Sequence, residues 1–242
     1  MIWTIYLVIL IYFVLGFIGF YFINRKKEHV EARKSWLKYF TYFIIIHILF
    51  FSIAFFPALF RIICLIIIAG GLYEIIKVYI RSGNNKQFVF YIALLVYSLL
   101  SIGFYVFSGY NKGLILFSFL IISIFDSFSQ IIGQIWGRRK LFRKISLHKT
   151  VEGFIGGILV AVASAWLLVG LLAGTDFIPM RLATGIVFFA FLGDMITSMY
   201  KRKYGVKDFS TLIPGHGGFL DRFDSLIAGG AFVAITVLFF NG

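Results

Sequence analysis

Between Gly193 and Ser225 the chain reads GDMITSMYKRKYGVKDFSTLIPGHGGFLDRFDS, and most of its reactive side chains fall in this one stretch. Asp194, Ser198 and Lys201 recur at i, i+4, i+7, which places them on one face of a helix. Asp221 and Asp224 are i, i+3 and share a face at the start of the next apolar run. Between them, Pro214-Gly215-His216-Gly217-Gly218 is a turn whose backbone can approach a ligand, because glycine has no side chain in the way. Lys201, Arg202, Lys203, Lys207 and Arg222 supply positive charge around these acids. Carboxylates on two neighbouring helices, with cations and glycines beside them, suit a hard metal ion and phosphate groups.

A second polar cluster precedes it, FDSFSQIIGQIWGRRKLFRKISLHKTVEGFIGG. Asp126 is a carboxylate in an apolar context and needs a cation, a metal or water. Beyond it Arg138, Arg139, Lys140, Arg143, Lys144 and Lys149 form a basic loop. As a phosphate-binding surface it would use Lys149 as a point charge and Ser146 and Thr150 as hydroxyl donors. Read more plainly, it is a cytoplasmic loop with the usual excess of basic residues. Glu74, three residues before Lys77, is either half of a local ion pair at the membrane interface or a site residue. His47, inside an apolar run, reads as hydrogen-bonded between helices.

The elements that must carry these groups are membrane spans. The 242 residues are 61% hydrophobic and only 14% charged, with a mean hydropathy of +0.97. Soluble domains are about half apolar and about a quarter charged. The fold class is therefore all-α, a polytopic transmembrane helix bundle. Apolar runs of spanning length, about 20 residues, lie near 2–23, 39–57, 58–76, 88–107, 113–135, 151–173, 181–200 and 223–241. The loops near 24–38, 77–87, 136–150 and 201–222 hold 6, 3, 6 and 5 Lys/Arg, 20 of the 23 in the chain. Alternate loops are thus basic, which predicts eight spans with both termini outside. The net charge of +13 then belongs to cytoplasmic loops that meet anionic lipid headgroups and not to nucleic-acid binding. The single Cys64 sits in an apolar run, so no disulfide framework or Cys metal site is expected. Basic residues follow the first apolar run and do not precede it, the pattern of a retained span. The whole of 1–242 reads as one membrane domain, with spans in 1–112 for packing and lipid contact and 113–242 as the catalytic half.

Ser198-x-x-Lys201-Arg202-x4-Lys207-Asp208, followed by His216-Gly217-Gly218-x-x-Asp221-Arg222-x-Asp224, resembles the signature of the CTP:phosphatidate cytidylyltransferases, the CDP-diacylglycerol synthases. Lys149-Thr150-Val151-Glu152-Gly153 leading to Gly156-Gly157 resembles the same family, so the likeness covers roughly the C-terminal half. It departs from the family at Ser146-Leu147-His148-Lys149, where Ser-Pro usually precedes Lys-Thr. It departs again at Ser129 and Gln130, where a small residue and a tyrosine are common. Glu74 is of a kind the family often carries at a similar place.

The resemblance implies cytidylyl transfer from CTP to a membrane lipid phosphate, phosphatidate, with release of pyrophosphate. Chemistry between anionic groups needs charge stabilisation, and magnesium takes one or two carboxylates plus phosphate and water oxygens. Asp194, Asp221 and Asp224 are the candidate metal ligands, and with Lys201 the candidate catalytic residues. Asp126, Ser146, Lys149, Thr150, Ser198, Arg202, Lys207, His216, Gly217, Gly218 and Arg222 are the candidate substrate-binding residues. One or two Mg²⁺ ions, and an accompanying monovalent cation, stay open at this level. A homodimer and a bacterial cytoplasmic membrane, with the site on its cytoplasmic side, complete the expectation. Asp221→Asn is expected to abolish activity in a folded protein. The alternatives are a CTP-dependent enzyme acting on another lipid phosphate or a lipid alcohol, and a transporter using Glu74, Asp126 and Asp194. Transport is disfavoured because the polar residues gather toward one membrane face.

Overall fold

Each apolar run becomes a helix. The computed structural model describes residues 2–25, 28–142, 145–213 and 217–240. In chain order the helices are α1 (Ile2–Asn24), α2 (His29–Phe55), α3 (Pro57–Arg81), α4 (Gln87–Phe107), α5 (Lys112–Ile135), α6 (Val151–Leu167), α7 (Pro179–Lys203) and α8 (Leu220–Phe240). Seven helices among the described residues are long and apolar enough to cross a membrane. The sixth run differs from the expected span over 151–173. Helix α6 is 17 residues long and gives way to a 3-10 turn at Val169–Leu172. The sequence there is Val169-Gly170-Leu171-Leu172, where a glycine lowers helix propensity. The Leu171 N–H then bonds the Leu168 carbonyl in the tighter i→i+3 pattern.

Other boundaries shift outward. Helix α2 starts at His29 and α7 runs to Lys203, beyond the apolar stretches, because Glu, Lys and Arg are good helix formers. The break between the second and third runs falls at Phe56, with Pro57 in the first turn of α3, where its missing N–H is harmless. One short hairpin also forms in the basic loop, β1 (Lys140–Phe142) antiparallel to β2 (Ser146–Thr150).

Helices α5 and α8 form the buried centre. A run of α5 from Gly113 to Ile122 is buried without interruption, and α8 packs against α3, α4, α5 and α7. Small residues permit the close crossings. A side chain at Gly153 would meet the Ser129 carbonyl and the Gly133 Cα, so α6 lies directly on the end of α5. A side chain at Gly193 would meet the Ala228 Cβ and the Asp224 carbonyl, so α7 and α8 touch backbone to backbone.

Three of the four basic loops are bonded to one another. Arg202 Nε donates to the Ile145 carbonyl at 3.0 Å, Tyr204 Oη donates to the Lys86 carbonyl at 3.1 Å, and Lys86 Nζ donates to the Lys203 carbonyl. They share one end of the bundle.

Candidate active site

At that end the two acidic helix faces meet. Asp194 lies on α7, and its carboxylate is ion-paired with Lys149 of β2. The Ser198 Oγ approaches the other oxygen at 3.3 Å, as the i, i+4 spacing predicted. One turn on, Lys201 crosses to α8 and donates to Asp221 Oδ1 at 2.6 Å. This second pair is buried, with 10% and 5% of the two side chains exposed. Asp224, 6% exposed, faces α7 and accepts from Thr197 Oγ1 at 2.5 Å. Ser225 Oγ lies 3.5 Å from Asp126 Oδ1 on α5. Asp224 is within electrostatic range of both Asp194 and Asp126, so carboxylates from α5, α7 and α8 converge.

The acids are not equivalent. Asp221 Oδ2 also accepts the backbone N–H groups of Phe209 and Gly218, each at 2.8 Å. With Lys201 on Oδ1, three of its roughly four lone-pair positions are taken by protein donors. Gly217 makes this possible: its φ is +85°, and a Cβ there would meet the Asp221 carboxylate. Asp224, by contrast, has no ion-pair partner among the described residues. A buried carboxylate beside two others is costly unless a cation compensates it. That environment fits an oxygen-preferring divalent cation held by one or two carboxylates with phosphate and water oxygens; among the described residues no three acidic, His or Cys side chains are grouped to hold a metal ion.

The remaining predicted residues fall as follows. Thr150 caps α6, its Oγ1 accepting the Gly153 N–H at 3.1 Å, and is buried. Ser146 opens β2. Exposed Arg202 donates to the carbonyls of Ile145 and Val206, and Lys207 is exposed on the same side. The guanidinium of Arg222 stacks over the Tyr42 ring at 4.0 Å. Gly218 is buried at the start of α8. His216, with Pro214 and Gly215, lies outside the described residues, as do Arg143 and Lys144.

Several residues that the sequence reading passed over hold the site. Thr197 was legible, since it shares the face of Asp194, Ser198 and Lys201. Glu152 is another: its carboxylate accepts the N–H groups of Arg138 and Arg139 at 3.0–3.2 Å and closes the basic hairpin. Tyr42 and Ser210 carried no local signal. Neither expected reading of Glu74 included its actual partners: it bonds Ser210, Phe219 and Leu220, while Lys77 lies over the Tyr73 ring. His47 bonds the Phe43 carbonyl of its own helix at 2.7 Å, and not a neighbouring helix.

Apolar recesses flank the acids. One, narrow, is lined by Asp126 and Arg222 together with Leu49, Phe119 and Leu226. Another reaches Asp224 and Thr197 between Ile75, Tyr97 and Leu220.

Fold and site together define an integral membrane helix bundle with a carboxylate–lysine centre at one end. A sequence profile of the cytidylyltransferase family matches residues 1–240, and the chain belongs to that family. It is 39% identical over 131 residues to the phosphatidate cytidylyltransferase of Staphylococcus saprophyticus, covering 52% of this chain and 50% of that one. To the phosphatidate cytidylyltransferase of Haemophilus influenzae it is 42% identical over 134 residues, 52% of this chain and 46% of that one. The protein of the same name from Staphylococcus haemolyticus is 40% identical over 134 residues. The chain spans about half the length of the curated relatives it matches.

Proposed function

We propose that the protein transfers the cytidylyl group of CTP to the phosphate of a membrane lipid, phosphatidate, giving CDP-diacylglycerol and pyrophosphate. The observation that carries this reading is the convergence of Asp194 and Asp224 across the α7–α8 contact, with Lys149 and Lys201 bonded beside them. A lipid phosphate oxygen attacks the α-phosphorus of CTP in line. The new P–O bond forms as the bond to the β-phosphate oxygen breaks, and pyrophosphate leaves. A covalent enzyme intermediate is not needed. The lipid phosphate is already ionised, so no general base is required either.

Asp194 and Asp224 would hold Mg²⁺ together with phosphate and water oxygens, and the ion would supply charge neutralisation at the phosphates. Lys149 and Lys201 lie where each can exchange its carboxylate partner for a phosphate oxygen, and Arg222 offers a planar donor fork on the α5 side. The apolar linings beside Arg222 and Asp224 set hydrocarbon surface next to the charged groups, as a lipid phosphate substrate requires. Arg202 and Lys207 face the aqueous side, which we take as cytoplasmic, with both termini opposite. Transport is the weaker reading, since Glu74 is wholly buried and bonded to backbone amides and does not line a path.

Product analysis tests the proposal. With CTP labelled on either the α- or the γ-phosphate, label from the α-position alone should reach lipid, with pyrophosphate released. Label from the γ-position in lipid would mean a lipid kinase. Transfer to other lipid phosphates but not to phosphatidate would trace to the departures at Leu147 and Gln130.

A further inference from the structure

We infer that Glu74, contributed by α3 from the N-terminal half of the chain, is the positioning residue of the site: its carboxylate caps α8 and fixes the loop that presents Asp221. The inference rests on the function proposed above. Glu74 is 0% exposed and has no ion-pair partner among the described residues. A bare carboxylate at that depth would be expensive, yet three donors converge on it. Ser210 Oγ lies at 2.6 Å, the Phe219 N–H at 3.0 Å and the Leu220 N–H at 2.8 Å.

The last two donors are the amide just before α8 and the first amide within it. A helix start leaves its N–H groups unsatisfied, and Phe219 and Leu220 have no capping side chain of their own. Glu74 supplies the cap from 146 residues away in sequence, and the positive end of the helix compensates its charge. Gly218 admits it, because any side chain at that position would overlap both Glu74 oxygens.

Glu74 and Asp221 then share the loop between α7 and α8. On one arm, Phe209 bonds Asp221 and Ser210 bonds Glu74. On the other, Gly218 bonds Asp221 while Phe219 and Leu220 bond Glu74. Adjacent residues on both arms are thus divided between two carboxylates. Asp221 can hold Lys201 only where the loop lets it, so Glu74 sets the Lys201–Asp221 pair without touching either residue.

The test uses the purified full chain in lipid nanodiscs and compares wild type with Glu74→Gln. The substitution keeps the shape but turns an amide NH₂ toward backbone donors. Expected are a fall in kcat of about 10–100-fold, the range for residues that support a site indirectly, an unchanged KM for the lipid, and faster hydrogen exchange at the Phe219 and Leu220 amides. A merely structural role would lower the melting temperature and leave kcat of the folded fraction intact. A folded Glu74→Gln protein with wild-type kcat, or with unchanged exchange at those two amides, overturns the inference. Should Glu74→Gln not fold, Ser210→Ala removes a single donor. It should lower kcat in the same direction with little change in melting, and wild-type kcat there overturns the inference equally. If wild type itself transfers no label to any lipid phosphate, the proposed function has failed. The exchange measurement then still decides whether Glu74 caps α8.

Discussion

Lys149 of β2 and Asp194 of α7 form an ion pair that fastens the basic hairpin to the bundle. Both side chains remain partly open, at 25% and 31% exposure, so the pair holds a cation at the site and adds little to stability. Exposed pairs are worth about 0–1 kcal/mol. Lys149→Ala should therefore leave thermal melting almost unchanged while lowering CTP-dependent transfer on the order of 10²-fold, the loss of one preorganised charge at the phosphates. Steady-state rates beside a melting curve check both halves.

Asp221 and Asp224 should respond oppositely to the same change. Asp221→Asn leaves Lys201 buried without its partner, and breaking a buried pair costs about 3–5 kcal/mol. Activity and stability should fall together, which revises the expectation from sequence that the variant would be inactive but well folded. Asp224→Asn removes one of three neighbouring negative charges and keeps an acceptor for the Ser225 N–H. It should melt at or above the wild-type temperature and still lose transfer. Melting in nanodiscs separates the two variants.

Gly193 sets the distance between Asp194 and Asp224. In Gly193→Ala the new methyl meets the Ala228 Cβ and the Asp224 carbonyl. Overpacking of this kind costs about 1–3 kcal/mol, and here it would push α8 away from α7. We expect a protein that still inserts, with a higher Mg²⁺ requirement and reduced kcat, read from a magnesium titration.

Arg222 is oriented by Tyr42, a cation–π contact worth about 0.5–2 kcal/mol. Arg222→Lys loses the planar stack, and Tyr42→Leu removes the ring. Each should raise the KM for the lipid acceptor more than that for CTP. Equal rises in both would place Arg222 at the nucleotide instead.

Much of this was legible before the structure. Helices follow from apolar runs, and the i, i+4 and i, i+3 spacings put Ser198 beside Asp194 and both α8 acids toward α7. What could not be read was which acid each cation would choose. Lys201 pairs with Asp221, 20 residues away, and not with Asp194 on its own face. Lys149 takes Asp194 because the Gly133–Gly153 contact brings the start of α6 onto α5, close to α7. Glu74 was harder still, since its partners are backbone amides, which every sequence contains and no spacing marks. The short α6 was also hidden, because Leu168 to Leu172 is as apolar as the helix before it.

The most direct measurement places purified wild-type protein and Asp224→Asn side by side in proteoliposomes containing phosphatidate, with Mg²⁺ and α-phosphate-labelled CTP. The account predicts label in the lipid phase as a CDP-lipid for wild type, abolished by EDTA and absent from Asp224→Asn. No labelled lipid with phosphatidate or any other lipid phosphate, or labelling at the wild-type rate in Asp224→Asn, would contradict it.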